Sequence, residues 1–332
     1  MIKNHQKPVI FIIFALTLLM GLGCIGIGNY NISLYETIRA LQTWGSGVSD
    51  TAATVILGIR LPRVILSIIA GAGLACAGAA FQSLFSNPLA TPDTLGVANG
   101  ASFGAVLALL LHLSTIMVQI SAMIFGLLAV FFVLLISKRR GSRSIIMMIL
   151  AGLVISSFFQ ALISIVKLMA DPQDQLPAIT FWLMGSLSGT MAGTLLYGLP
   201  LLTLGIIIIF ILRWRLNALS LHEDEAKSLG INVGRMRNLT ILGSTMITAS
   251  VVSMCGQIGW VGLLVPHIAR MLFGNNNKFV IPGSIVMGGM FFLLIDTLAR
   301  NLTASELPVS ILTALIGAPL FIYLLRKSGG IK

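Results

Sequence analysis

The chain has 332 residues, 57% of them hydrophobic and 9% charged, with a mean hydropathy of +0.99 and a formal net charge of +11. A soluble domain carries roughly 25% charged residues, so a water-soluble enzyme is excluded and an all-α integral membrane protein is expected. The positive balance reads as topology rather than nucleic-acid binding, because cytoplasmic loops of membrane proteins collect Lys and Arg.

A crossing takes about 20 apolar residues. About ten transmembrane helices are predicted, over 8–28, 61–84, 94–112, 115–137, 144–168, 193–212, 238–256, 258–273, 281–299 and 308–325. The first has a basic start and Cys24 near its end. A lipoprotein signal has a larger aliphatic residue three positions before its cysteine, where this chain has Gly21, so the segment is read as a retained span. Residues 29–60 are half apolar and predict a surface helix and loop. Residues 170–192 predict a short lateral helix, and 213–237 a charged connection.

The basic residues set the orientation. Of 21, only Arg39, Arg60, Arg63, Lys167 and Arg300 fall opposite the N-terminus. Both termini are therefore placed in the cytoplasm.

In the second span, residues 71–80 are all Gly, Ala or Cys except Leu74, which predicts close helix packing. Arg60 and Arg63 flank Pro62 at the expected outer mouth, against the charge bias. Lipid phosphate and the acidic residues of an external partner would each explain them, and charge alone does not choose. Pro88 and Pro92 stop the span at the inner face and restart the chain. Whether Leu89 also plugs a pore does not follow from spacing.

Residues 218–237 predict a helix with an apolar stripe of Leu219, Leu221, Ala226 and Leu229, and Gly230 as its C-terminal stop. Glu223, Asp224 and Glu225 would repel anionic lipid, so this stretch is expected to dock a protein. Residues 253–270 combine Gly256, Gly259, Gly262, Pro266, His267 and Arg270 in an apolar run. The glycines predict a short, closely packed span. His267 lacks companions for a metal site and is read as structural. Asp296 sits one helical turn before Arg300, which predicts a local ion pair; the alternative is a proton or cation site. Cys24, Cys76 and Cys255 lie in apolar runs and form neither a metal cluster nor a disulfide framework. No G-x-x-x-x-G-K-[ST] loop occurs, so the chain does not hydrolyse ATP by that route.

Several ordered motifs carry a family resemblance. They are Arg60-Leu-Pro-Arg63, Gln82-Ser-Leu-Phe-Ser-Asn-Pro-Leu-Ala90, Leu95-Gly-Val97 and Trp182-Leu-Met-Gly-Ser-Leu187. Further along come Ser228-Leu-Gly230, Gly259-Trp-Val-Gly-Leu-Leu-Val-Pro-His-Ile-Ala-Arg270, Asp296-Thr-Leu-Ala-Arg300, Glu306-Leu-Pro-Val309 and Thr313-Ala-Leu-Ile-Gly-Ala-Pro319. From about residue 33 to 328 the chain resembles FecCD-type permeases, the membrane subunits of iron–siderophore, haem and vitamin B12 ABC importers. One departure is Asn275-Asn-Asn-Lys278, where many relatives have Asp-His-Arg.

The resemblance implies a type II ABC importer permease fold in one domain, 1–332, and a role as transport subunit rather than enzyme. It implies a second permease copy, with a homodimer expected, two cytoplasmic ATPase subunits that hold ATP and Mg, and an external substrate-binding protein. No cofactor or metal is expected on this chain. By resemblance Arg60, Arg63 and Arg300 receive glutamates of the binding protein, and Asn87 and Leu89 form a cytoplasmic gate. Leu221, Glu225, Ala226, Leu229 and Gly230 belong to a coupling segment on the ATPase, and Gly259, Gly262, Pro266, His267 and Arg270 form a structural motif. The expected activity is import of a ferric siderophore across the bacterial cytoplasmic membrane by alternating access. Haem or vitamin B12 is the alternative cargo. From another class, a proton-coupled secondary transporter using Asp296 and a passive channel remain as competing readings.

Overall fold

The computed structural model describes residues 5–28, 32–42, 50–138, 145–189, 192–220, 223–303 and 306–327. All of its elements are helical. In chain order they are α1 (Gln6–Gly26), α2 (Leu34–Gln42), α3 (Thr51–Val55), α4 (Leu61–Leu84), α5 (Val97–Leu110), α6 (Thr115–Ile136) and α7 (Ile145–Met169). Then follow α8 (Gln175–Leu183), α9 (Ala192–Leu212), α10 (Glu223–Ser228), α11 (Val233–Cys255), α12 (Val261–Phe273), α13 (Asn277–Asn301) and α14 (Val309–Lys327). Among the described residues, eight helices are long and apolar enough to cross a membrane. α5 and α12 occupy two further predicted spans but are shorter, with 14 and 13 residues. At 1.5 Å per residue they reach about 20 Å, less than the ~30 Å hydrocarbon core. Both are shortened by irregular backbone before their first turn.

The second span also begins earlier than expected. α3 continues through a π-helical turn, Ile56–Arg60, directly into α4, giving one helix over Thr51–Leu84. Pro62 has no N–H to donate to the preceding turn. The wider π turn, with the Leu61 N–H reaching the Ile56 carbonyl, carries the chain past that gap. Arg60 and Arg63 therefore lie within a helix rather than at its mouth.

α4 is the central helix, and its residues from Ala70 to Leu84 are all buried. The small side chains there admit close neighbours on several sides. Gly71 and Gly288 bring α4 and α13 into backbone contact, and Gly78 meets the Gly262 carbonyl of α12. Pro266 explains why that carbonyl is available. A proline at this position has no N–H for residue 262, so the Gly262 oxygen has no helical donor and faces α4 instead.

Candidate functional site

At one end of α4 three buried arginines converge. Arg60 donates from Nη1 to the Ile25 and Gly26 carbonyls at 3.0 Å each. Arg63 reaches Asp296 through Nη2 at 2.9 Å and Nε at 3.0 Å. Its Nη1 donates to both oxygens of Glu306 at 2.8 Å. Arg300 stands 3.5 Å from Asp296 and donates from Nη2 to the Cys24 carbonyl at 3.4 Å. The expected local pair of Asp296 and Arg300 is thus the weaker contact. Arg63, from a different helix, makes the closer one, because the α4–α13 packing at Gly71 and Gly288 brings the two helices together. The arginines are only 4–6% exposed. Glu306, at 33%, is the open member of the cluster.

At the opposite end, Arg270 of α12 donates to the Ala79 carbonyl at 3.2 Å, to Ser83 Oγ at 2.9 Å and to Gln82 Oε1 at 3.3 Å. Ser83 in turn donates to Asn277 Oδ1 at 2.9 Å, tying α4, α12 and α13 together. His267 sits 5.6 Å from the Phe321 ring, and its Nε2 is buried without a partner. Gly262 packs against Pro92 and the Leu74 carbonyl, whereas an added methyl at Gly259 would meet nothing within 4 Å.

After α4 the chain turns sharply. Asn87 Oδ1 accepts the Leu89 N–H at 2.9 Å, an Asx turn that pushes Leu89 outward to 46% exposure. Thr91 and Thr94 then form a capping box, and Gly96 at φ 73° starts α5. Asp93 accepts the Ala98 N–H at 3.0 Å.

The chain is irregular again between α11 and α12. Gly256 and Trp260 take φ of 70° and 69°, and the Trp260 ring is braced by Phe321. Irregular backbone at membrane depth has to find partners within the protein. Here two other chain breaks supply them. Ser186 N–H donates to the Cys255 carbonyl at 2.9 Å, Val309 N–H to the Gly185 carbonyl at 3.0 Å, and Ser310 Oγ to the Gln257 carbonyl.

Gln257 lines two cavities. One, of about 230 Å³, is bounded by Thr91, Asp93 and Trp260. The other, of about 510 Å³, is lined by Asn99, Ser157, Gln160, Ser164, Lys167 and Gln257. Four of these lie on one stripe of α7 at spacings of three and four residues. Toward the helix start the same stripe is apolar, with Ile146, Leu150 and Leu153 all more than half exposed. The wall can offer amides, hydroxyls and one ammonium, and no carboxylate lines it. The 3-4-3 spacing of polar residues within a span is the sequence signal for this wall, and none of the family motifs includes it.

In the charged connection, the single predicted helix is two short ones, a 3₁₀ helix over Arg215–Ser220 and α10. Gly230 at φ 74° ends α10, and Ile231 N–H returns to the Ala226 carbonyl at 3.1 Å. Ala226 is buried against Ala218 and Val233, so it faces the protein's own core. Leu229 and Glu225 are exposed. Leu221 lies outside the described residues.

Among the described residues no three His, Cys, Asp or Glu side chains converge on a point that could hold a metal ion.

Comparison with known proteins gives a consistent result. The FecCD transport family profile matches residues 13–327. The molybdate import system permease protein MolB of Haemophilus influenzae is 39% identical over 96% of this chain and 97% of its own length. A probable iron chelatin transport system permease of Helicobacter pylori is 40% identical over 85% of each chain. A solved inward-facing conformation of a metal-chelate type ABC transporter superposes with a TM-score of 0.88 at 37% identity, covering 97% of this chain and 99% of that one.

Proposed function

The chain belongs to the FecCD transport family and is an ABC importer permease; from this premise we propose that it imports a ferric siderophore across the cytoplasmic membrane by alternating access. A transport subunit of this kind is not an enzyme, and it works with a partner permease and ATPase subunits. The observation that carries the cargo reading is the polar cavity on α7, whose amides, hydroxyls and Lys167 suit an oxygen-rich anionic complex. The iron-chelate relative supports the same class. A second reading, molybdate, is favoured by the extent of the match to the Haemophilus permease.

The proposed cycle uses the features above. A homodimer would place the α7 walls along a shared pathway, with Lys167 toward the outside. The turn at Asn87 and Leu89 would form the inner constriction. Glu225, Leu229 and Gly230 would meet the ATPase, and buried Ala226 would brace them from behind. Docking of an external binding protein at the Arg60–Arg63–Arg300 cluster would proceed by carboxylate exchange, the incoming acid displacing Glu306 from Arg63. The two conformations would differ in which end of the pathway is sealed.

Uptake into proteoliposomes containing the permease, its ATPase and its binding protein tests the cargo. Labelled ferric hydroxamate should accumulate with ATP, and labelled molybdate should not. The reverse result assigns the second reading. Accumulation without the ATPase would overturn the ABC mechanism itself.

A further inference from the structure

Three helix ends meet at the Arg270 end of the molecule: the start of α1, the end of α9 and the start of α13. They bring Lys7, Arg213 and Lys278 to one groove, with a cavity of about 450 Å³. Its walls are apolar, with Phe11 and Phe14 from α1, Phe210 from α9 and Pro282 from α13. No acidic side chain lines it.

The meeting of these ends is fixed by side chains. Gln6 Nε2 donates to the Phe273 carbonyl at 2.8 Å, which seats the start of α1. Asn276 accepts the Lys278 N–H at 3.0 Å and also the Asn217 amide at 3.0 Å, while the Asn277 N–H donates to Asn217 Oδ1 at 2.8 Å. The Asn-Asn-Lys sequence at 276–278 thus locks the start of α13 against the chain that follows α9.

The charges at the rim are open to an external ligand. The Lys278 ammonium lies over the Trp214 ring at 4.1 Å, and the Arg213 guanidinium over Phe210 at 3.9 Å. Arg213 also donates one N–H to the Phe210 carbonyl. Among the described residues no carboxylate pairs with Lys7, Arg213 or Lys278. A cation resting on an aromatic face keeps donors for a second partner. Trp214 is 54% exposed, as expected of a side chain at the membrane–water boundary. Cations at that boundary with an apolar groove beside them complement the charge and apolar chains of an anionic phospholipid.

We propose that this groove binds one anionic diacyl phospholipid. Its phosphate sits among Lys7, Arg213 and Lys278, and an acyl chain lies along Phe11, Phe14 and Phe210. Basic pockets between membrane helices attract anionic headgroups in this way. A zwitterionic lipid offers the same chains, but its own ammonium opposes the rim. A soluble phosphate matches the rim and leaves the apolar wall unused. The bound lipid would join α1 and α9 to α13, and so stabilise the start of α13, on which the Arg270 network depends.

The test uses the full-length permease in detergent, titrated with dioleoyl-phosphatidylglycerol, dioleoyl-phosphatidylcholine or glycerol 3-phosphate. The thermal midpoint and the number of lipids retained in native mass spectrometry are read. Phosphatidylglycerol should raise the midpoint well above phosphatidylcholine, and glycerol 3-phosphate should leave it unchanged. The combined Lys7→Gln, Arg213→Gln and Lys278→Gln variant should erase the difference between the two lipids. If that variant does not fold, Lys7→Gln alone, at an exposed position, should reduce the preference by at least about twofold. Equal shifts with both lipids, a full shift with glycerol 3-phosphate, or an undiminished preference in the variants would each overturn the assignment.

Discussion

Arg63 and Asp296 are 233 positions apart in sequence and meet as a buried ion pair at 2.9 Å. Asp296 is fully buried, yet Arg63 and Arg300 both face it, and Arg63 also holds Glu306. The carboxylate is a joint between α4 and α13. Removing one partner of a buried pair costs about 3–5 kcal/mol. Asp296→Asn should therefore lower the thermal midpoint of the purified permease by several degrees. ATP-driven uptake by whatever protein does fold should persist under an uncoupler. Uptake that collapses with the proton gradient in the unmodified protein would instead favour the proton-coupled reading.

Glu306 occupies the face of Arg63 that an incoming carboxylate would need. With Glu306→Gln, that guanidinium keeps Asp296 but loses its second, more exposed anion. Affinity for the binding protein should rise several-fold at low ionic strength and become more salt-dependent. Arg60, Arg63 and Arg300 exchanged together for Glu should weaken docking. Unchanged affinity in both variants would remove the cluster from the docking surface.

Two glycines, Gly78 of the small-residue run and Gly259 of a family motif, should respond differently to a methyl group. At Gly78 an added Cβ overlaps the Gly262 carbonyl, whereas at Gly259 it meets open space. Overpacking costs typically about 1–3 kcal/mol. Gly78→Ala should lower the thermal midpoint and the yield of folded protein, and Gly259→Ala should leave both near the parent values. Equal tolerance at the two sites would mean that α12 shifts away from α4 without cost.

Asp93, in the connection between α4 and α5, faces the smaller cavity and caps α5. Desolvation pushes its carboxyl up to about 6, against the lowering effect of the Ala98 and Asn99 N–H groups. A raised pKa in the folded state means that its stabilising contribution is complete below the ordinary carboxylate range. That contribution is lost as pH rises through about 6. The thermal midpoint of the parent should fall relative to that of Asp93→Asn as pH is raised across this window. Parallel pH profiles for the two proteins would show that Asp93 ionises without penalty.

The polar stripe of α7 should be wet and electropositive. Gln160→Cys should react with an anionic thiosulfonate faster than with a cationic one of the same size, and adding Lys167→Gln should reduce that preference. The three native cysteines are buried and give little background. A site that reacts with neither reagent, or equally with both, would exclude an anion-accepting wall there.

The sequence by itself determined the spans and their breaks. Each of the ten predicted segments contains a helix, eight of them, among the described residues, long enough to cross a membrane, and the lateral helix α8 also lies where the chain composition put it. Gly230 ends α10, and the prolines at 88 and 92 mark the turn after α4, because backbone restriction is a property of the residue itself. The tertiary structure decided which residues meet. Asp296 pairs more closely with Arg63 than with its helical neighbour Arg300, the Gly262 oxygen freed by Pro266 finds Gly78, and Ala226 packs inward against Ala218 and Val233. It also shortened α5 and α12, since their first turns give way to irregular backbone, satisfied locally by the capping box before α5 and partly by distant chain breaks before α12. Such pairings depend on how distant helices pack, and spacing along the chain carries no record of them.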